Sequence, residues 1–307
     1  MTGDAVSFVD VRGLRIRVSD RGRGARPLLL VPGIGTSLEI WPPLLEALGS
    51  QRTLAFDPPG TGMSSLPELP LRLPRLARLV IDLLDALGHE QVDLLGVSWG
   101  GALAQQIAHQ APRRVRRLVL AATSCGLGSV PGRPLALAAM ANPLRFHSRS
   151  FFELMAPHAY GGASRRSRLQ RSDEAGLWLR RPPSLRGYAY QLIAVAGWSS
   201  LPWLHRLPQP TLVMAGAEDP LVPLRNAGIL TGRIPRATVH VVEGGGHLFL
   251  LNHTAESAAA ILEFLRRPAD PLETAGTSWR SRAARVAWRL SSRPRPTPTR
   301  PRGPRGS

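Results

Sequence analysis

The sequence predicts an α/β fold, in which a mostly parallel, doubly wound sheet carries an inserted helical segment. Up to about residue 124, short apolar runs bounded by turn residues alternate with stretches of helical periodicity, and such runs are typical of buried parallel strands. The same alternation returns near residue 209, while the stretch between is helical and interrupted by proline and glycine. With 307 residues and 43% hydrophobic residues, the chain can bury a core of this size.

The first two predicted strands, residues 6–11 and 14–19, alternate apolar and polar side chains around Gly13 and therefore indicate an opening hairpin. The strands that follow are continuously apolar, as expected for strands buried on both faces. We predict them at residues 28–31, 53–56, 92–97, 115–121, 211–215 and 238–242. Helical spacing predicts helices at residues 71–87, 101–110, 224–231 and 254–265.

Residues 1–124 and 209–267 therefore form the predicted core, and residues 125–208 form a predicted helical cap. The cap segment holds nine of the 17 aromatic residues of the chain. These side chains either fill the interior of the cap or form an apolar substrate surface beside the active site. The residues that we predict to contact substrate are Phe151, Tyr188, Trp198 and Trp203.

The last segment, residues 268–307, is predicted to be a basic tail. Residues 278–290 have the spacing of a short amphipathic helix with arginine between its apolar positions, and a disordered Pro/Arg-rich stretch follows. No acidic residue follows Glu273, whereas nine arginines do, so half of the net charge of +18 lies in the last thirty residues. This distribution argues against nucleic acid as a partner. The tail is either an unselected extension or a contact to an anionic membrane or granule surface.

Several classes of protein are excluded by simpler features. The single cysteine, Cys125, allows no intramolecular disulfide and fits a reducing compartment. No uncharged apolar run reaches the length of a membrane-spanning helix, and the N-terminus lacks the pattern of a signal peptide. No residues have the spacing of metal ligands, and no phosphate-binding loop is present. We therefore expect a cytoplasmic protein without a metal or cofactor.

The strongest local motif is Gly96-Val-Ser98-Trp-Gly100, which has the form G-x-S-x-G and joins a predicted strand to a predicted helix. A nucleophile elbow requires this context, because the glycines permit a sharp turn that raises the serine hydroxyl into a cleft. The amide of Trp99, at the start of the helix, could then stabilise a developing oxyanion. Ser98 is the predicted nucleophile.

A serine hydroxyl needs a base to take its proton, and in this fold the base follows an acid along the chain. His247 lies in a glycine-rich loop after a predicted strand, where catalytic residues of open α/β sheets lie. Asp219 follows the preceding strand and is the predicted acid, with Glu218 as its competitor. Asp57 also follows a strand, but a turn-forming role explains it better.

A second oxyanion donor is expected in the loop after the strand at residues 28–31. In this loop, Gly33 and Gly35 allow a close approach of the backbone, and Pro32 has no N–H to offer. The amide of Ile34 is therefore the predicted donor. Cys125 follows a strand as well, but nothing near it in the sequence indicates an activated thiol.

Together these motifs resemble those of the α/β-hydrolases, and within that superfamily the chain is similar to the intracellular poly(3-hydroxyalkanoate) depolymerases that act on medium-chain polyesters. The resemblance extends from about residue 28 to residue 265. In the core it rests on residues 33–35, 55–60, 96–106, 118–123, 210–212 and 246–250. In and around the cap it rests on residues 130–134, 156–162, 190–192, 197–200 and 203–205.

The resemblance implies an α/β-hydrolase fold and the same three roles, with Ser98 as nucleophile, Asp219 as acid and His247 as base. It also implies that the substrate is a storage polyester on a cytoplasmic granule, cleaved to 3-hydroxy acids. A general carboxylesterase or lipase, or an acyltransferase, could use the same residues on small or lipid esters. A noncatalytic protein that binds surfaces through its tail is the alternative from another class, and the complete set of three residues argues against it.

Overall fold

A computed structural model of the chain describes residues Ala5–Pro268, which belong to one compact unit. The predicted tail helix and the Pro/Arg-rich stretch lie outside the described residues. None of the described helices is both long enough and apolar enough to cross a bilayer.

An eight-stranded sheet forms the centre of the fold, with the strand order β1-β2-β4-β3-β5-β6-β7-β8. The pairings of β1 with β2 and of β2 with β4 are antiparallel, and all the others are parallel. The strands are β1 (Ala5–Val11), β2 (Leu14–Arg21), β3 (Arg23–Val31), β4 (Gln51–Phe56), β5 (Val92–Val97), β6 (Val115–Ala121), β7 (Thr211–Gly216) and β8 (Ala237–Val242).

The predicted strands agree with these bounds to within two residues, except at the start of β3. This strand begins at Arg23, five residues before the predicted strand, because its first four residues are exposed and give no apolar signal. The pairing with β4 is also irregular between Arg23 and Leu28.

Eleven α-helices lie within the described residues. They are α1 (Pro42–Leu48), α2 (Leu73–Ala86), α3 (Trp99–Gln110), α4 (Pro134–Ala141), α5 (Arg149–Ala159), α6 (Gly162–Arg166), α7 (Arg168–Trp178), α8 (Leu185–Val195), α9 (Arg225–Arg233), α10 (Phe249–Asn252) and α11 (Thr254–Arg266). Helix α1 was not predicted, because it has only seven residues and begins with two prolines. Proline is well tolerated in the first turn of a helix, so this sequence is compatible with the structure.

The core lies on both faces of the sheet, as a doubly wound fold requires. In β3, Leu29 and Val31 pack in the cluster that contains α2, α3 and α9. Their neighbours Leu28 and Leu30 pack in the opposite cluster, with α1 and α11. Because successive side chains of a strand point to opposite faces, an unbroken apolar run is needed to fill both layers.

The segment between β6 and β7 contains helices α4 to α8 and has a hydrophobic cluster of its own. That cluster includes Phe146, Phe152, Tyr160, Trp178 and Tyr188. The end of the segment packs elsewhere, because Trp198, Leu204 and Leu207 belong to the cluster of α2 and α3. Only the helical part of the predicted cap, from about residue 134 to 192, therefore packs as a separate layer.

Candidate active site

The turn between β5 and α3 holds Ser98 in a strained backbone conformation, with φ of 54° and ψ of −117°. Positive φ is uncommon for a residue other than glycine and requires support from its surroundings. Here the support is close packing: a Cβ atom on Gly100 would lie 2.3 Å from the carbonyl oxygens of Val31 and Pro32. A Cβ atom on Gly96 would lie 2.4 Å from the carbonyl oxygen of Gly100. Both glycines of the motif are thus sterically required.

The two loops that follow β7 and β8 bring Asp219 and His247 to this turn. His247 Nε2 lies 3.1 Å from Ser98 Oγ, and His247 Nδ1 lies 2.8 Å from Asp219 Oδ2. The other carboxylate oxygen, Asp219 Oδ1, accepts hydrogen bonds of 2.8 Å from the amides of Leu221 and Val222. Because a carboxylate only accepts, the proton of the neutral imidazole lies on Nδ1, and Nε2 is left to accept from the Ser98 hydroxyl.

The competing acids have other partners. The carboxylate of Glu218 is bound by Arg165 and Arg166 at 2.7 and 2.9 Å, respectively. Asp57 is completely buried and accepts hydrogen bonds from the amides of Leu38 and Met63. Burial raises the pKa of Asp57, against the effect of these hydrogen bonds. Asp57 therefore holds two loops together, in agreement with the turn-forming role.

The two predicted oxyanion donors lie in the turn of Ser98 and in the loop that packs next to it. Trp99 is the first residue of α3, and Ile34 lies in the loop after β3, whose Gly33 would carry its Cβ atom 3.8 Å from that of Ser98. Neither the Trp99 amide nor the Ile34 amide donates to a protein acceptor within the described residues. An oxyanion donor requires an N–H that is not already bonded to a protein acceptor, and both amides meet this requirement.

Of the predicted substrate-contacting residues, Tyr188 lies beside the loop after β3. A Cβ atom on Gly35 would lie 3.0 Å from the Tyr188 ring. The Tyr188 side chain is buried, and its hydroxyl accepts a hydrogen bond of 3.0 Å from Arg145 Nη2 and donates to the Met140 carbonyl. Phe151 is half-buried on α5, whereas its neighbour Phe152 packs inside the cap.

Trp198 and Trp203 are not brought to Ser98. Trp198 Nε1 donates to Gln106 Oε1 at 2.8 Å, and the Trp203 ring stacks on His109 with centroids 4.2 Å apart. His109 is ten residues beyond Trp99 on α3, a distance of about 15 Å at 1.5 Å per residue. We therefore correct the prediction that Trp198 and Trp203 contact substrate. Parallel strands all begin at the end of the sheet opposite to Ser98, so the chain passes along α3 after the cap before it begins β7.

Three cap residues near the site were not predicted. The Arg145 guanidinium is buried and donates to the hydroxyls of Tyr160 and Tyr188, at 2.7 and 3.0 Å. Tyr160 also accepts a hydrogen bond of 2.7 Å from the His247 amide through its carbonyl oxygen, and its ring stacks on the imidazole. The third residue is Gln191 of α8, which contacts the loop after β3. Tyr160 and Gln191 lie in the segments 156–162 and 190–192 that carry the family resemblance, but no motif distinguishes them or Arg145 from the other polar and aromatic residues of the cap.

Neither Cys125 nor a cluster of metal-binding side chains offers a second reactive centre among the described residues. Cys125 is buried, and burial raises the pKa of its thiol, so it is a poor nucleophile. Among Ala5–Pro268 there is no group of three His, Cys, Asp or Glu side chains that could hold a metal ion.

Comparison with known proteins identifies the family. A model of the α/β-hydrolase fold matches residues 26–254. The chain belongs to the α/β-hydrolase family. It is 44% identical over 263 residues to a poly(3-hydroxyalkanoate) depolymerase of Ectopseudomonas oleovorans, a match that covers 84% of this chain and 91% of that protein.

Further α/β-hydrolase relatives are more distant. A 2-hydroxymuconate semialdehyde hydrolase of Pseudomonas sp. (strain CF600) is 31% identical over 268 residues, which cover 82% of this chain and 91% of that protein. The crystal structure of a hydrolase from Pseudomonas aeruginosa PA01 superposes with a TM-score of 0.71 at 29% identity, covering 86% and 100% of the two chains. The predicted fold class and the predicted enzyme class, a hydrolase acting on esters, are confirmed.

Proposed function

We propose that this α/β-hydrolase cleaves the ester bonds of an intracellular poly(3-hydroxyalkanoate), with medium-chain side groups, through a covalent acyl-enzyme at Ser98. The observation that carries the proposal is the chain of contacts from Ser98 through His247 to Asp219, at 3.1 and 2.8 Å. The similarity to a poly(3-hydroxyalkanoate) depolymerase along 84% of the chain supports the choice of substrate.

In the first half of the reaction, His247 Nε2 takes the proton of the Ser98 hydroxyl as Oγ bonds to the ester carbonyl carbon. The carbonyl oxygen becomes an oxyanion, which the amides of Trp99 and Ile34 stabilise. Asp219 holds the imidazole in the required tautomer and stabilises its positive charge. When the tetrahedral intermediate collapses, the C–O bond to the alcohol breaks, and the alkoxide receives the proton from His247.

In the second half, water replaces the alcohol. The oxygen of a water molecule bonds to the acyl carbon while His247 takes one of the protons of that water molecule. The amides of Trp99 and Ile34 stabilise the second oxyanion. Collapse returns the proton to Ser98 Oγ and releases the 3-hydroxy acid. Each cycle therefore consumes one ester bond and one water molecule and restores the enzyme.

The surface of the cap suits an uncharged, water-insoluble substrate. A polyester offers apolar side groups and ester oxygens but no charge, so apolar contact must supply its binding. Several leucines of the cap are exposed by about half or more of their surface and could make such apolar contacts. They are Leu127, Leu135, Leu144, Leu154, Leu169 and Leu185.

The proposal is tested by the release of acid from suspended medium-chain and short-chain polyhydroxyalkanoates, with p-nitrophenyl esters measured in parallel. We expect release from the medium-chain polymer by the natural protein and almost none by Ser98→Ala. Asp219→Asn and His247→Ala should also lose about 1,000-fold or more in kcat while they remain folded. Circular dichroism and thermal unfolding of each variant provide the control for folding.

The outcomes separate the proposal from its alternatives. Cleavage of p-nitrophenyl esters without acid release from any polymer would replace the depolymerase with a general carboxylesterase or lipase. Transfer of the acyl group to an added alcohol or thiol in preference to water would indicate an acyltransferase. Near-normal activity of any of the three variants would reject the role assigned to that residue.

A further inference from the structure

Gln191, a residue of the cap helix α8, contacts both segments that carry the proposed oxyanion donors. Its side-chain Oε1 accepts a buried hydrogen bond of 2.6 Å from the amide of Gly35, the residue after Ile34. Its backbone carbonyl accepts a hydrogen bond of 2.9 Å from Nε1 of Trp99. Gln191 is only 3% exposed, so water does not compete for these contacts. One cap residue thus joins the loop after β3 to the start of α3.

The hydrogen bonds of the loop show what this contact does to Ile34. The Gly33 carbonyl accepts from the Thr36 amide at 3.3 Å and from the Thr36 hydroxyl at 2.8 Å. Because the peptide bond is trans, the Ile34 N–H of the same peptide points away from Thr36. The next peptide is held through the Gly35 amide by Gln191. The peptides on both sides of the Ile34 Cα atom are therefore fixed, one by the core and one by the cap.

Gly35 needs this support from the cap. Its φ of 72° lies in the left-handed region, and a Cβ atom at this position would lie 2.4 Å from the ring of Phe146. Glycine is flexible, so without a partner for its amide the loop could adopt other conformations. It would also leave a buried N–H without an acceptor, which is unfavourable. The Gln191 side chain removes both problems at once.

We propose that Gln191 is a positioning residue that sets the geometry of the oxyanion hole, so that the hole is complete only when the cap is in place. The inference rests on the proposed function, in which the Ile34 and Trp99 amides stabilise the oxyanion. Donors act on a transition state only if they are held in advance at the correct distance. Gln191 acts through Gly35 and Trp99 and need not touch the substrate.

The test compares two buried glutamines in the full-length protein. Gln191→Met keeps the size of the side chain but removes the acceptor for Gly35. Gln209→Met is the matched control, because Gln209 is 2% exposed and also bonds to backbone, donating to the Ala108 and Pro112 carbonyls. For each variant, kcat and KM with p-nitrophenyl octanoate, the Ki of octylboronic acid and the unfolding temperature are measured.

We expect Gln191→Met to lower kcat by about 10- to 100-fold, the loss typical of a displaced oxyanion donor, and to leave KM nearly unchanged. The boronic acid forms a tetrahedral adduct that places an oxygen in the hole, so its Ki should rise by a similar factor. The pH profile should keep its shape, because His247 and Asp219 are untouched. Gln209→Met should unfold at a lower temperature but keep its kcat and Ki.

Normal kcat and boronate affinity in Gln191→Met would overturn the inference, as would equal losses in both variants that follow their loss of stability. If Gln191→Met does not fold, Gln191→Asn replaces it, since its shorter amide cannot reach Gly35, and the same outcomes apply. Ser98→Ala separates this test from the proposed function. An inactive Ser98→Ala beside a normal Gln191→Met rejects only the role of Gln191, whereas an active Ser98→Ala rejects the proposed mechanism.

Discussion

At the scale of single residues, the site depends on where side chains are absent as much as on where they are present. Ser98 can adopt a positive φ only because Gly96 and Gly100 let β3, β5 and α3 approach closely. The same closeness places Gly33, and with it the Ile34 amide, beside the serine. Strain at one residue is thus maintained by the packing of three elements around it.

This packing predicts the effect of adding one methyl group at Gly100. Gly100→Ala places a Cβ atom against backbone oxygens, which cannot move as a flexible side chain would, and should cost about 3 kcal/mol of unfolding free energy or more. Gly228→Ala, in the exposed part of α9 with no atom near its Cβ position, should instead stabilise by up to about 1 kcal/mol. Urea unfolding measures both, and similar values for the two variants would contradict the steric argument.

At the scale of elements, the cap and the core are joined by a buried carboxylate. Glu174 of α7 is 1% exposed and accepts hydrogen bonds from Ser164 of α6, at 2.9 and 2.8 Å, and from Asn252 of α10 at 3.2 Å. Burial raises the pKa of Glu174 to about 7, in spite of these hydrogen bonds. The stability of the folded state therefore changes as Glu174 loses its proton near neutral pH.

The raised pKa of Glu174 predicts how stability changes with pH. A carboxyl that is protonated more readily when folded contributes its full stabilisation below the unfolded value of 4.5 and loses it as pH rises to about 7. The loss is about 3 kcal/mol for a shift of this size. Glu174→Gln removes the titrating group. Between pH 4.5 and 8, the unfolding free energy of this variant should therefore fall by about 3 kcal/mol less than that of the natural protein.

Urea unfolding across this pH range measures the difference. Glu263→Gln, on an exposed side chain of α11, is the control and should follow the natural protein. A Glu174→Gln curve parallel to that of the natural protein would show that Glu174 does not titrate in this range.

At the scale of the whole molecule, residues that are distant along the chain lie together at the carboxyl ends of the parallel strands. The loops after β3, β5, β7 and β8 carry Ile34, Ser98, Asp219 and His247, respectively. The end of the described chain is tied to the core by Arg117 of β6, which donates to the carbonyls of Arg267 and Pro268 at 2.6 and 3.2 Å. Within Ala5–Pro268, the side chains of Ser98, Asp219 and His247 bond to one another and to the amides of Leu221 and Val222.

This arrangement predicts that the tail can be removed without loss of chemistry. Truncation after Thr277 deletes nine arginines and no acidic residue, so the net charge falls from +18 to +9. We expect unchanged kcat with p-nitrophenyl esters, because Ser98, His247 and Asp219 all precede the truncation and keep their hydrogen bonds to one another. If the tail binds an anionic surface, sedimentation with vesicles rich in phosphatidylglycerol should decrease at low salt, and the difference should vanish at about 1 M salt. Equal binding of both proteins would reject this role of the tail.

The sequence by itself determined the elements and the candidates for chemistry that follow them. Alternating and continuous apolar runs located the strands within a few residues, and the positions after strands selected Ser98, Asp219, His247 and Ile34. These signals are local, because the preference of a segment for a strand or a turn depends on residues that are adjacent in the sequence. The same signals missed α1, which is short and opens with two prolines.

Only the tertiary structure decided how the cap meets the core. Trp198 and Trp203, which were predicted at the site, lie against Gln106 and His109 of α3. Gln191 contacts Gly35, which is 156 residues away along the chain. The tertiary structure also directs Glu218, which the sequence left as a competitor of the adjacent Asp219, to Arg165 and not to His247. Such contacts depend on how separate elements pack, and the periodicity of one segment carries no information about the segment that will cover it.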